Sequence, residues 1–443
     1  MENTCNYLKT AFLDLIRESK SNPALLFIIL TLLSIPLGHV CSSIALISLA
    51  AISLLTFKKS NFRFETALLL PMALFALMAL SLLWTNDFDA SIKALQKGLP
   101  LLGVPLCFMV FPKLDADRKQ KVLRYFSVGM VLFTLFWLLK AAFRFAVSGD
   151  SNVLFYHELV TEDVNAIHVS VYIAIAFFYF LTKAAGNVFD KFAMVLLPVF
   201  LILLSSKNII IVFFILVLFF VLKYNKMAVR GKFIRWGLLF FLLAALLFKG
   251  KIADRFLIEV ESNAATKTTN NEIGTEAHKV YNVSVPQAWS QERFNANDYF
   301  PGTAFRVYQI RIFTEMLQED PILFTGYGLN ATDFKIAEKA AEHTVFSGNE
   351  TVDGYQNKNF HNEYIQIFAE LGIFGLLFLL AMLIINTKNA FKSKDFIHIS
   401  FAILMISLFL TESFLSRQRG IIFFTLMYCL FNSGFPKITI KQE

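Results

Sequence analysis

Apolar runs recur along almost the whole chain, and each is about as long as a bilayer core is thick. LLFIILTLLSIPL (25–37), ALLLPMALFALMALSLLW (67–84) and IIIVFFILVLFFVL (209–222) are typical. A helix needs about 20 mainly apolar residues to cross a hydrocarbon core of ~30 Å. Runs of this kind predict about twelve spans, near 23–38, 40–57, 64–84, 95–112, 121–147, 166–182, 189–205, 208–223, 234–250, 361–386, 396–413 and 420–436. The residues are 56% hydrophobic and only 17% charged, with 50 phenylalanines among 443. Soluble domains carry about 25% charged residues, so this pattern excludes an ordinary soluble fold.

The short loops orient the bundle. KKSNFR (58–63), PKLDADRKQKVLR (112–124), KYNKMAVRGKFIR (223–235) and NTKNAFKSKD (386–395) are basic, whereas WTNDFDA (84–90) and SGDSNVLFYHELVTEDVNA (148–166) lack Lys and Arg. Basic loops alternate with non-basic ones in the parity that twelve spans demand, which puts both termini in the cytoplasm. The formal charge of +8 is explained by this asymmetry, and a nucleic-acid partner is not expected. The four cysteines, Cys5, Cys41, Cys107 and Cys429, have no metal-ligand spacing and none lies in the large polar loop. The N-terminal MENTCNYLKTAFLDLIRESK places Leu8, Phe12 and Leu15 on one helical face and reads as a cytoplasmic interfacial helix.

One loop differs from the others. From about Lys251 to Phe360 the chain is long and polar, and parity sets it on the outer face. The chain therefore divides into a bundle over 1–250 of about nine helices, an outer loop domain over 251–360, and about three more helices over 361–443. Within the loop, ESNAATKTTNNEIGTEAHK is low in apolar residues and reads as flexible. PGTAFRVYQIRIFTEMLQEDP predicts a helix with Thr303 as N-cap, Phe305, Ile310, Phe313 and Leu317 at helical spacing, and Pro321 as the stop. ATDFKIAEKAAEH predicts a second helix. No internal repeat is evident, which weighs against an inverted-repeat transporter.

Several polar residues stand at the outer boundary. Arg306 falls near the start of a helix, where free N–H groups and the dipole favour anions and a guanidinium adds a planar fork for phosphate; the alternative is a solvated surface arginine. Lys207, between two spans, either snorkels to the surface or serves an anion. Arg417 and Arg419 suit lipid headgroups. His361 opens a span in the same polar layer and can act as a base, since imidazole titrates near neutrality. Glu370, nine residues on, falls on the opposite helical face and is expected to pair with a neighbouring helix. Asp87 and Asp89 form a DxD spacing that only weakly suggests metal binding.

HNEYIQIFAELGIFG (361–375) resembles the His-Asn/Ser…Glu-x-Gly-x-x-Gly signature of the bacterial O-antigen ligase and polymerase superfamily. FRVYQIRIFTEMLQEDPILFTGYGL resembles that family's Arg-bearing loop helix with its Pro and Gly-x-Gly turn, here Arg306, Pro321, Gly326 and Gly328. LLSSKNIIIVFF, LLWTNDFDASIKAL and TESFLSRQRGIIFF are similar to further family segments, with Lys207 where Arg is usual and Ile310 where an aromatic is usual. The resemblance implies an all-α, GT-C-like polytopic fold and a metal-independent inverting glycosyltransferase without cofactor in the bacterial inner membrane, its active site facing the periplasm. It implies a glycan donor on undecaprenyl pyrophosphate and a sugar hydroxyl as acceptor: lipid A–core for a ligase, another lipid-linked glycan for a polymerase. A protein O-oligosaccharyltransferase would share the donor. The competing class is a lipid-linked oligosaccharide flippase. On this reading Arg306 and Lys207 hold the pyrophosphate with help from Arg311, His361 serves the incoming hydroxyl, and Asn362, Glu370, Gly326, Gly328, Arg417 and Arg419 support them.

Overall fold

The computed structural model describes residues 22–161, 164–183, 187–224, 279–295, 297–349 and 353–434, with the strand 269–272 and a few isolated positions. The predicted N-terminal interfacial helix and the predicted span at 234–250 lie outside the described residues.

The other eleven predicted spans each contain a helix. They are α1 (Pro23–Ser34), α2 (His39–Leu55), α3 (Thr66–Leu80), α4 (Phe88–Gly98) running into α5 (Pro100–Val110), α6 (Ala116–Ser148), α8 (Ala166–Leu181), α9 (Val188–Leu203), α10 (Lys207–Tyr224), α14 (Glu363–Ser393), α15 (Phe396–Phe409) and α16 (Gln418–Asn432). A short α7 (Tyr156–Val160) lies between α6 and α8. Among the described residues, four segments are long and apolar enough to cross a bilayer: Thr66–Leu83, Ala116–Ser148, Lys207–Tyr224 and Glu363–Ser393. The chain is an all-α, multi-pass membrane protein.

Burial sorts these helices into a core and a shell. Nearly every residue of α8 and α16 is buried, as for helices that are apolar all round. Phe423 of α16 packs on Tyr172 of α8 and Phe126 of α6. The shell helix α2 instead leaves Val40, Ile44, Ile47 and Leu54 exposed in one stripe, a surface suited to lipid chains. The predicted span 95–112 is broken in two. Pro100 lacks an N–H and starts a new helix at its first turn, so amphipathic α4 ends at Gly98 and apolar α5 follows.

The long polar segment expected on the outer face is folded where it is described. α11 (Val285–Ser290), α12 (Gly302–Glu319) and α13 (Asp333–Glu342) surround a core of Phe294, Phe300, Tyr308, Ile312, Met316 and Phe360. A small sheet adds β1 (Thr269–Glu272) antiparallel to β2 (Lys279–Asn282), with Thr269 opposite Asn282, and β2 parallel to β3 (Asp298–Tyr299). The strands fall partly in the stretch expected to be flexible, because backbone pairing does not require apolar side chains. Thr303 is not the cap of α12: Pro301 holds that position without a side-chain bond, and Thr303 lies inside the first turn. Lys335 of α13 pairs with Asp320 (3.2 Å) and so ties α13 to the end of α12.

Candidate functional site

The site begins at the mouth of α14. Asn362 caps this helix, its Oδ1 accepting from the backbone N–H groups of Tyr364 (3.0 Å) and Ile365 (3.2 Å). His361 precedes the cap in the left-handed region (φ +45°), where its N–H donates to Asn359 Oδ1 at 3.1 Å. A non-glycine residue held there is strained, and such strain persists only where surrounding bonds enforce it. The backbone turn aims the imidazole at the α15–α16 loop, and His361 Nδ1 lies 3.4 Å from Glu412 Oε2. The Phe305 ring of α12 packs edge-on against the imidazole at 5.6 Å.

Glu412 is a buried acid whose carboxyl is shifted by its neighbours. Its side chain is 3% exposed against 30% for His361. Burial pushes its carboxyl up, but the hydrogen bond and charge of His361, with the charges of His168 and Arg417, outweigh burial and hold it down at about 2. A carboxylate is thus fixed behind the ring, leaving the other ring nitrogen as the more accessible one.

The loop carrying Glu412 gathers the rest. The Thr411 carbonyl accepts from Arg306 Nε (3.0 Å) and Nη2 (2.8 Å), while Arg306 Nη1 donates to the Gly302 carbonyl at 2.8 Å. Thr411 Oγ1 accepts from Asn208 Nδ2 at 2.8 Å, and the same nitrogen donates to the Ser407 carbonyl. Asn208 is the second residue of α10, so Lys207 stands at the helix start next to this anchor. Asn362 Nδ2 donates to the Leu410 carbonyl (3.3 Å), and the Leu415 N–H donates to Glu363 Oε2 (2.7 Å). Loops distant in sequence, at 207, 306, 361 and 411, therefore converge on one short connection.

Not every predicted residue joins them. Arg311, one and a half turns beyond Arg306, is engaged by Glu315 (2.8 Å), the Gln291 carbonyl (2.6 Å) and the ring of His343 (3.3 Å), where it holds α12 within the outer domain. Arg417 is exposed at the N-cap of α16, and Arg419, the second residue of that helix, is buried. Glu370 does not pair with a neighbouring helix. Its carboxylate takes Gln366 Nε2 from its own helix and a backbone hydrogen bond from Asn330. Asp87 caps α4 by accepting from Ala90 N–H at 2.9 Å.

Gly326 and Gly328 support the site from behind. Both have positive φ, and their turn lies on α14: the N–H groups of Tyr327 and Gly328 each donate at 2.9 Å to the carbonyls of Ala369 and Glu370. Those carbonyls are free to accept because α14 breaks at Gly372 (φ +66°, ψ −167°). The Trp84 indole also reaches this turn, donating to the Thr325 carbonyl at 3.0 Å.

Sequence reasoning missed Glu412, Thr411 and Asn208. Glu412 is the sole acidic residue of the loop TESFLSRQRG, and that was the available signal. Residues 192–380 match a family model described as O-antigen ligase. The match begins in α9 and ends in α14, so it contains Lys207, Arg306 and His361 but not Glu412. No curated protein matches the chain.

Proposed function

We propose, from the match of residues 192–380 to a family model described as O-antigen ligase, that the chain transfers a glycan from undecaprenyl pyrophosphate to a sugar hydroxyl at the periplasmic face of the inner membrane, as an O-antigen ligase acting on lipid A–core. The observation that carries the reading is the convergence of Arg306, Asn208 and His361 on Thr411 and Glu412.

The chemistry follows from these groups. The acceptor oxygen attacks the anomeric carbon, the bond from that carbon to the diphosphate oxygen breaks, and negative charge grows on the departing diphosphate. Fixed cations at a boundary of low dielectric stabilise that charge most, which is the part of Arg306 and Lys207. Glu412 accepts from His361 Nδ1–H and leaves Nε2 to take the proton of the acceptor hydroxyl, a step typically worth about 10²- to 10⁴-fold. Arg311 is spent within the outer domain and has a positioning part through α12.

Arg306→Ala and His361→Ala are expected to abolish transfer in a complementation assay with lipid-linked donor while the protein still accumulates in the membrane. Normal transfer by either variant removes that residue from the reaction. Transfer by the purified protein in detergent separates an enzyme from a flippase, which needs two compartments. Gel analysis of a deletion strain assigns the acceptor: unattached long chains for a ligase, single capped repeat units for a polymerase, and loss of glycan from proteins alone for a protein transferase.

A further inference from the structure

A hollow of about 340 Å³ opens between the loop after α3 and the start of α13, lined by Asn86, Asp87, Asn330, Ala331, Asp333 and Phe334. None of these residues belongs to the group around His361. The volume falls within the range of about 300–1,000 Å³ of small-molecule sites.

The two walls are pinned together by backbone. Asn86 N–H donates to the Tyr327 carbonyl (3.2 Å), Leu329 N–H donates to Ser81 Oγ (3.2 Å), and Ser91 Oγ donates to the Leu329 carbonyl. The backbone N–H of Asn330 is taken by Glu370. The hollow is therefore formed in advance, which lowers the ordering cost of binding. Among the described residues, the carboxamides of Asn86 and Asn330 and the carboxylate of Asp333 meet no hydrogen-bond partner from the protein, and Asp87 uses one oxygen on Ala90. Phe334 is 49% exposed and is steadied by the edge-on ring of Tyr327 at 5.6 Å.

This set fits a sugar. Carboxylates and carboxamides pair with hydroxyl donors and acceptors, and an exposed ring offers an apolar face to the C–H side of a pyranose. Two carboxylates repel a diphosphate, so the hollow does not duplicate the cationic site. Among the described residues no group of three or more His, Cys, Asp or Glu is arranged around a metal ion. Leu83 (82% exposed) and Phe88 (57% exposed), close in sequence to Asn86 and Asp87, are apolar, so the rim adjoins a surface suited to lipid.

We propose that this hollow is a saccharide subsite, holding uncharged sugar residues of a membrane-anchored glycan while its reacting end lies at His361. The proposal rests on the glycan-transfer reading above, but its test does not. The full-length protein in nanodiscs is titrated with two soluble probes and followed by saturation-transfer NMR: oligosaccharide released by mild acid from the repeat-unit polymer of the source organism, and oligosaccharide released from the lipid that receives it. Binding of one probe, weakened about tenfold in both Asp333→Asn and Phe334→Ala, supports the subsite and tells donor from acceptor. Elution volume and thermal midpoint matched to the wild type exclude misfolding, and Asn330→Ala supplies a further arm if one variant fails to fold. Absence of binding by both probes, or binding indifferent to the hollow variants, overturns the proposal. So does thermal stabilisation by Ca²⁺ that Asp333→Asn abolishes while sugar binding is unaltered, which makes the hollow a cation site. Loss of transfer in His361→Ala with no sugar binding in the hollow sinks the subsite alone; retained transfer sinks the mechanism alone.

Discussion

At the residue scale, the behaviour of Glu412 turns on its contact with His361. Its carboxyl is held at about 2 against an ordinary 4.5. A carboxylate with a lowered folded value adds stability that is complete above its unfolded value and is lost as pH falls through the folded one. The thermal midpoint of the wild type should therefore exceed that of Glu412→Gln near pH 5 and converge with it as pH falls toward about 2. A difference that persists below that range rules out the ion pair as its source. Arg306 gives a second expectation. Its fork places two N–H groups on the Thr411 carbonyl, a geometry one ammonium cannot copy. Arg306→Lys should keep the charge yet lower the transfer rate roughly 10- to 100-fold, measured with purified protein.

At the element scale, the break in α14 matters most. Gly372 sits at φ +66°, and a Cβ there would overlap the Phe324 carbonyl. Gly372→Ala should cost about 1–3 kcal/mol or more of stability, seen as a lower thermal midpoint in detergent and lower yield. A Cβ at Gly375 would lie 2.6 Å from Leu371 Cβ, which the helix backbone holds in place, so Gly375→Ala should destabilise as well. The helices themselves were legible in the sequence, since runs such as IIIVFFILVLFFVL leave few alternatives once lipid is the solvent. The break was not legible, because Gly372 inside ELGIFG reads as continuous apolar helix until the 326–328 turn is seen to dock on it. The division of 95–112 was readable only as Pro100, and the strands at 269–282 carried no apolar alternation to announce them.

At the scale of the whole molecule, the charge of the loops predicts an orientation that can be checked directly. In a chain whose native cysteines are replaced, Asp353→Cys, exposed in the outer domain, should react with a membrane-impermeant maleimide in spheroplasts. Lys392→Cys, at the other end of α14, should react only after permeabilisation. The reverse pattern would set His361 on the cytoplasmic side and end the proposed chemistry. The candidate site was half legible: Lys207 and His361 stood out as polar residues at span ends, and Arg306 as a cation near the start of a loop helix. Arg311 was expected only to help them, and its bonds to Gln291, Glu315 and His343 engage it elsewhere.

The order of the apolar helices among the described residues came from the sequence by itself, because a bilayer forces each apolar run to satisfy its backbone internally and so makes the local pattern decisive. The company kept by each polar residue came from tertiary structure. His361 meets Glu412 across 51 residues and Arg306 meets Thr411 across 105. No local period encodes such pairs; they exist because α14, α15 and α16 pack so that one short outer loop lies beneath the mouth of α14 and the start of α12.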